Sequence, residues 1–448
     1  MNAQRAGQSA GSPWATGAWT WFATPDRWLL ALSVLIQIGL AAVLGHSRDT
    51  RLFMTAGYLV GTGHSPYVAR DLTAVFHHAG FLSISVVGYP PPWPLVAGAL
   101  YRATYGLTHD LILYNLALKL PVILANVALA YLVAAVLQNL GAPRDAARKT
   151  WLLLLFNPFL LYVGAAWGQI DAIATVLTLA ALVLLVARRL TLSALVLALA
   201  VCFKPIAGPV VLVALVYLAG RSPRRALRYA AVLVAGALVF YAGPFLALGW
   251  DTSPLRQLNA HFIMTGTMSF MTVVRLARDP LLIQGHWWLL GLLWIPALAV
   301  AVLALRKGVG GFDDLVRKSL ALVLVFYLTR AWLAEPNVVL LLPLVLILTV
   351  REQLDRRVFT AMWLLPLVFT LFNASPLQLL FVEWPGAMAT SVAFVARYGD
   401  ATMVVRAVLV VAWQVLGWWL VVTCFRRPKA VPARAARVPA AAVDGGSP

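Results

Sequence analysis

Asp49 stands in the run His46-Ser47-Arg48-Asp49, just beyond the first apolar stretch of the chain. A carboxylate at the edge of an apolar region, beside a basic residue, can act as a general base, because burial and neighbouring charge set its pKa. The plainer reading is an Asp capping the helical run that follows over 51–63. A second acid lies in Trp167-Gly168-Gln169-Ile170-Asp171, among apolar residues and with no adjacent cation in sequence. Such a carboxylate needs a partner or a proton, or it joins Gln169 in a structural hydrogen-bond site. Lys204-Pro205 closes another apolar run. Its ammonium can bind a phosphate as a point charge or simply snorkel to a polar boundary. Arg330 and Glu335-Pro336-Asn337 lie at a turn between two apolar runs, where they can hold a phosphate and a sugar or form an ion pair. Ser65-Pro66-Tyr67 and Tyr89-Pro90-Pro91-Pro92-Trp93-Pro94 are stiff, aromatic-bearing segments that can shape a groove or anchor at an interface. His261 and His286 are single histidines, which are more often structural than catalytic.

These residues need a scaffold, and the composition says which kind. Of 448 residues, 62% are hydrophobic and 11% charged. Soluble chains sit nearer half apolar and a quarter charged. Mean hydropathy is +0.84, and apolar runs recur along the whole chain. The pattern predicts an all-α, polytopic helical membrane protein. It excludes a soluble enzyme, a disordered chain and a transmembrane β-barrel, whose strands alternate. The runs fall at 28–45, 111–138, 150–165, 168–187, 190–204, 206–219, 229–248, 288–305, 319–333, 336–350, 358–374 and 404–424, which is about twelve transmembrane helices. Several are shorter than a straight span requires, so broken helices ending in protein-lined cavities are expected.

The basic residues set the expected orientation. With the N-terminus inside, the inner segments 139–149, 188–189, 220–228, 306–318 and 351–357, together with both termini, hold most of the 35 Lys and Arg. This asymmetry accounts for the net charge of +19 without invoking nucleic acid. It also requires 95–107 to be an interfacial or re-entrant piece on the outer side, because a further span there would invert everything after it. The expected organisation is a flexible cytoplasmic N-terminus over 1–27, a transmembrane domain over 28–424, and a disordered basic cytoplasmic tail over 425–448. A large outer segment, 46–110, carries Asp49. Further outer segments are 249–287 and 375–403. Cys202 and Cys424 support neither a disulfide framework nor a Cys-rich metal site. Gly-rich phosphate loops, HExxH and GxSxG are absent from the sequence, which leaves ATP hydrolysis, zinc proteolysis and α/β-hydrolase chemistry without support.

In order along the chain, these motifs resemble the GT-C glycosyltransferases, polytopic enzymes that use a lipid-phosphate-linked sugar. Asp49, Phe53, Ala56, Gly63 and Ser65-Pro66-Tyr67, followed by Tyr89-Pro90-Pro91, resemble the catalytic subunit of GPI mannosyltransferase I and its prokaryotic relatives. Lys119-Leu120-Pro121, Asn157-Pro158, Trp167–Asp171, Lys204-Pro205 and Glu335-Pro336-Asn337 extend the resemblance over roughly 46–350. Two departures stand out. Ser47 occupies the place of the first member of an acidic pair, which leaves Asp49 as the single base candidate and argues against a metal. The stretch between the SPY and YPP motifs is long and carries His77 and His78.

The resemblance implies an inverting transfer with no cofactor, since the lipid-linked sugar is itself a substrate. Asp49 would be the base. Lys204, Arg330 and Arg48, in that order, would meet the donor phosphate. Gln169, Asp171, Glu335 and Asn337 would hold sugar hydroxyls or order the cavity, and Tyr67, Tyr89, Pro90, Pro91 and Trp167 would shape it. The implied partners are a polyprenyl-phosphate-linked sugar donor, with mannose as the sugar, a glycolipid, polysaccharide or protein acceptor, and the lipid bilayer. The Ala/Arg/Val bias suggests a prokaryotic plasma membrane, with the site on its outer face. The competing expectations are a transporter or lipid flippase, and a non-catalytic scaffold in which Asp49 is only a cap.

Overall fold

Side-chain caps and prolines cut the apolar sequence into helices where the chain turns. Asp110 accepts hydrogen bonds from the backbone N–H groups of Ile112 and Leu113 and starts the Leu111–Asn139 helix. Asn157 does the same for Phe159 and Leu160, with Pro158 in the first turn, so the helix that began at Arg144 breaks and restarts. The restarted piece continues into a π-helical turn, Leu161–Ala166, ahead of Gly168 at φ +93°. Lys204 is the extended residue between Leu190–Phe203 and the helical run Pro205–Ala219.

The computed structural model describes residues 26–82, 88–251, 266–276, 287–373, 376–380 and 386–426. Most of the expected N-terminal segment and basic tail, together with His261 and His286, lie outside them. About four fifths of the described residues are helical. Among the described residues the strand structure is one short parallel pair, Gly266–Thr267 with Trp332–Leu333, and a bridge between Gly45 and Leu380.

Helix occupies every apolar run predicted from the sequence, but length separates them. Leu111–Asn139, Arg144–Ala166, Pro223–Leu248 and Ala396–Phe425 are the four stretches among the described residues that are long and apolar enough to cross a membrane. Arg27–Val43, Asp171–Val186, Leu190–Phe203, Pro205–Ala219, Leu289–Ala304 and Glu335–Val350 are shorter. By length and composition, four of the expected twelve spans are thus shown among the described residues. The physical reason is the placement of the breaks. Asp171–Val186, with 16 residues, reaches only about 24 Å at 1.5 Å per residue, short of a hydrocarbon core of about 30 Å.

Burial orders the helices. Phe312–Thr329 and Leu341–Val350 are buried on almost every side and form the centre. Pro223–Leu248 is the reverse, with 11% of its apolar window buried and Leu227, Leu238, Val239 and Leu246 facing outward. A continuous apolar exterior of this kind marks a membrane-embedded protein, in which lipid covers what water could not.

The segment expected at 95–107 is helical from Pro92 to Ala103 and packs across the Asp49–Gly61 helix. Gly57 sets that crossing: a Cβ there would lie 2.6 Å from the Ala97 carbonyl oxygen, so the two backbones meet where only glycine fits. Tyr114 donates from its hydroxyl to the Met54 carbonyl, fastening the pair to the Leu111–Asn139 helix. Segment 376–380 pairs with the other side of the same region. Its Leu379 and Gln378 carbonyls accept from the N–H groups of Gly45 and Ser47 at 2.6 and 3.0 Å.

Candidate functional site

The residues singled out from the sequence converge at one end of the bundle. Asp49 begins its helix with a half-buried carboxylate. Its Oδ2 accepts from Trp167 Nε1 and Gln169 Nε2, both at 2.7 Å. Its other oxygen, Oδ1, has no partner among the described residues. Gln169 is a junction: its Nε2 holds Asp49, while its Oε1 accepts from the Tyr89 hydroxyl at 3.2 Å and from Lys204 Nζ at 3.3 Å. Lys204 also pairs with Asp171 Oδ2 at 2.5 Å, with Asp171 buried and Lys204 nearly so. The cation that Asp171 lacks in sequence therefore arrives from the break between two other helices.

The two aromatic motifs join the same chain of contacts. Tyr67 is buried and donates from its hydroxyl to the Tyr89 carbonyl at 3.0 Å. Its ring packs on Phe245 and Trp250. Tyr89 meets Phe53 edge-on, and Lys204 Nζ lies 5.9 Å from the Tyr89 ring centroid. Pro90 and Pro91 are buried behind it, where the Pro92–Ala103 helix begins. Burial pushes the Tyr89 phenol well above its ordinary pKa, so it stays a neutral donor. An unbroken path thus runs from Tyr67 through Tyr89 and Gln169 to Asp49.

The remaining expected residues form a second group close by. Glu335 is buried and accepts from Asn373 Nδ2 at 2.6 Å, and Asn373 Oδ1 in turn accepts from Arg406 at 2.9 Å. The negative charges of Glu335 and Asp49 are near enough to interact. Arg330 and Glu335, which the sequence left open as an ion pair, do not pair. Arg330 instead covers the Phe326 ring at 4.8 Å. Asn337 accepts at its carbonyl from the Tyr327 hydroxyl, and its side-chain oxygen is sealed without a partner. Arg48 is exposed and has no side-chain partner among the described residues. His77 is exposed, whereas His78 turns inward and accepts from the Gly80 N–H through Nδ1. Among the described residues no group of three His, Cys, Asp or Glu side chains has metal-binding geometry.

Sequence reasoning assigned no role to two residues that the structure places in this framework. Lys119 is buried and sends Nζ to the carbonyls of Ala41, Leu44 and Ala166. It ties the end of the Arg27–Val43 helix, which leads to Asp49, to the turn that carries Trp167. Gly168 passes directly over it, with a Cβ position 3.1 Å from Lys119 Cε. The signal was present: a lone ammonium inside an apolar run is costly and marks a structural or functional need. His46 is the other. Its ring stacks on Trp167 at 4.3 Å, and its Nδ1 lies 3.5 Å from Asp49 Oδ2.

Chemically, the arrangement offers a carboxylate with one oxygen fixed and one open, beside a buried ion pair and two cations, Arg330 and Arg48, that have no carboxylate partner among the described residues. No protein-family model and no curated protein matches this chain.

Proposed function

We propose that the protein is an inverting, polyprenyl-phosphate-sugar-dependent glycosyltransferase of GT-C type, built from about twelve transmembrane helices, with Asp49 as its general base. The observation that carries the reading is the Asp49 carboxylate itself. Trp167 and Gln169 hold Oδ2, which leaves Oδ1 to receive a proton. A helix cap would need no such orientation, and both donors to the Asp49 carboxylate come from outside its own helix.

In this reading Asp49 takes the proton of an acceptor hydroxyl. The acceptor oxygen forms a bond to the anomeric carbon as the bond from that carbon to the phosphate oxygen breaks on the opposite side. One displacement inverts the centre and releases the polyprenyl phosphate, by the same stereochemical logic as an inverting glycosidase with an alcohol in place of water. The leaving phosphate needs cations more than a proton. Arg330 and Arg48 carry no carboxylate partner among the described residues and lead for that role. Lys204 is already met by Asp171, so it serves first to hold Gln169. Glu335 and Asn337 order the wall behind the sugar from their buried positions. Mannose as the sugar, the site on the outer face and a prokaryotic plasma membrane with both termini cytoplasmic complete the reading. They rest on the motif resemblance and on charge asymmetry.

A second reading has its own support. A buried Lys–Asp pair within a helical membrane protein is also what a proton-coupled transporter or lipid flippase uses. Sugar transfer separates the two. In nanodiscs supplied with radiolabelled mannosyl-phosphoryl-polyprenol and a membrane lipid extract, the wild type transfers label and a folded Asp49→Asn variant does not. Equal transfer by both removes Asp49 as the base. Flux of the lipid across a bilayer without transfer replaces the enzyme with the transporter.

A further inference from the structure

His46 is buried between the catalytic candidate and the loop that orients it. Its Nδ1 lies 3.3 Å from the backbone nitrogen of Asp49 and 3.4 Å from that of Arg48, both N–H groups donating to it. The same atom lies 3.5 Å from Asp49 Oδ2. On the other side the imidazole stacks on Trp167, with ring centroids 4.3 Å apart and planes 12° from parallel. Trp167 in turn donates to that same Oδ2. One ring therefore supports both the first turn of the Asp49–Gly61 helix and the indole that fixes the carboxylate.

These contacts fix the chemistry of the ring. Nδ1 can accept from backbone N–H groups only when it carries no proton, which places the single ring proton on Nε2. Protonation at Nδ1 would turn the acceptor into a donor. The two backbone contacts would be lost, and the new N–H would point at Asp49 Oδ2, making an ion pair with the carboxylate that has to accept a proton. An ion-paired carboxylate is a weaker base.

We propose that His46 is the positioning residue of Asp49, working through its neutral Nδ1, and that protonation of His46 switches the transfer site off. The proposal rests on the reading of Asp49 as the base. Surroundings of the ring favour the neutral form. Burial is the first cause, and it holds the imidazole below its ordinary value of 6.5. Asp49 opposes the shift, while Arg48 and Arg51 add to it. From the elements packed against the ring come the uncharged Trp167 indole and, among the described residues, no further charge bearing on it. His46 lies in the 46–110 segment, beyond the Arg27–Val43 helix.

The sign follows from linkage. A group neutralised by folding binds more protons when unfolded, so stability is lost as pH falls through about 6.5 toward the depressed native value. The same protonation lowers the rate on the acid side.

Two measurements test the proposal, one of which needs no turnover. The His46 ring resonance, assigned by its loss in His46→Asn, is titrated by NMR in isotope-labelled protein in nanodiscs. The expected result is a proton on Nε2 and a midpoint below 6.5; a proton on Nδ1, or a midpoint at or above 6.5, overturns the proposal. The pH–rate profile of mannosyl transfer is then compared for wild type, His46→Asn and His46→Phe. Asn keeps an acceptor oxygen near the Nδ1 position and does not titrate. It should keep kcat within about tenfold at neutral pH and move the acid limb down by about one pH unit or more. Phe keeps the stack without the acceptor and should lower kcat by more than about tenfold with KM unchanged. An acid limb unmoved in His46→Asn overturns the switch. If no variant and no wild type transfers sugar, the base reading fails, and the NMR titration still decides whether His46 is the neutral acceptor.

Discussion

The two ends of the bundle use the same kinds of residue in opposite ways. At the far end, Asp313 meets Arg351 and Gln353, Asp314 meets Arg317 three residues on, and Asp26 holds Arg148 through both oxygens. Asp313 and Arg351 are about one third exposed, at 30% and 35%, in an open cleft of about 430 Å³. These pairs close one helix terminus onto the next, as when Arg351 also reaches the Leu140 carbonyl at the end of the Leu111–Asn139 helix. At the Asp49 end Asp171 and Glu335 are buried and Asp49 is half-buried, and their partners come from other parts of the chain. Asp171 keeps a sealed, unpartnered oxygen, as Asp313 does at the far end, and Asp49 keeps an open one. Partly exposed pairs such as Asp313–Arg351 contribute little and cost little. Buried charges persist only where something requires them. An open cleft thus lies at the clamped end, and the buried Lys204–Asp171 pair at the other.

The largest expected effect breaks this comparison directly. Asp49→Asn keeps the shape of the side chain and an oxygen for Trp167 and Gln169, but removes the base. Transfer should fall by about 10²–10⁴, with the melting temperature nearly unchanged. Asp313→Asn at the other end should leave kcat alone. Matched rate losses in both variants would mean that the site is not confined to the Asp49 end.

The next effect is one of stability. Lys204 and Asp171 are 12% and 1% exposed, so removing one member strands a buried charge. Lys204→Met or Asp171→Leu alone should cost about 3–5 kcal/mol. The double variant should recover most of that loss in stability and still fail in transfer, because Gln169 loses its second anchor. Chemical denaturation in detergent checks the first statement and the transfer assay the second. Full recovery of transfer in the double variant would make the pair purely structural.

How far the sequence was legible follows the same division. Helix positions were readable because apolar runs and Asn-Pro, Lys-Pro and Glu-Pro breaks are local signals. The convergence of Asp49, Tyr67, Tyr89, Trp167 and Gln169 was suggested only by motif order, since residues 120 positions apart meet there. The partner of Asp171 was not readable, because Lys204 is contributed by another helix end. Span number was less legible, because breaks shorten helices below straight membrane length, as at Asp171–Val186. Lys119 was visible as an isolated charge in an apolar run, but its three carbonyl partners lie on two other segments. Lys119→Met removes the Lys119 donor from the Ala166 carbonyl, while Asn115 still donates to those of Ala41 and Leu44, at about 1–3 kcal/mol. It should also lower kcat more than it raises KM, because Asp49 and Trp167 lose their common tether. Lys119→Arg, too large beside Gly168, should not rescue it. A change in KM alone would move Lys119 out of the positioning role.

The smallest effect sharpens the contrast from the clamped side. Arg351 and Asp313 remain partly in water, so their attraction is screened and the ordering of two side chains offsets much of it. Arg351→Ala should therefore cost no more than about 1 kcal/mol from the ion pair, plus the loss of one bond to the Leu140 carbonyl. The ionic part should fade as salt is raised, and the carbonyl part should not. Lys204→Met offers the control, because a buried pair is screened much less. If denaturation of Arg351→Ala were instead as costly as that of Lys204→Met and equally insensitive to salt, the far end would be as tightly sealed as the Asp49 end. The distinction between clamp and site would then have to rest on Asp49 alone.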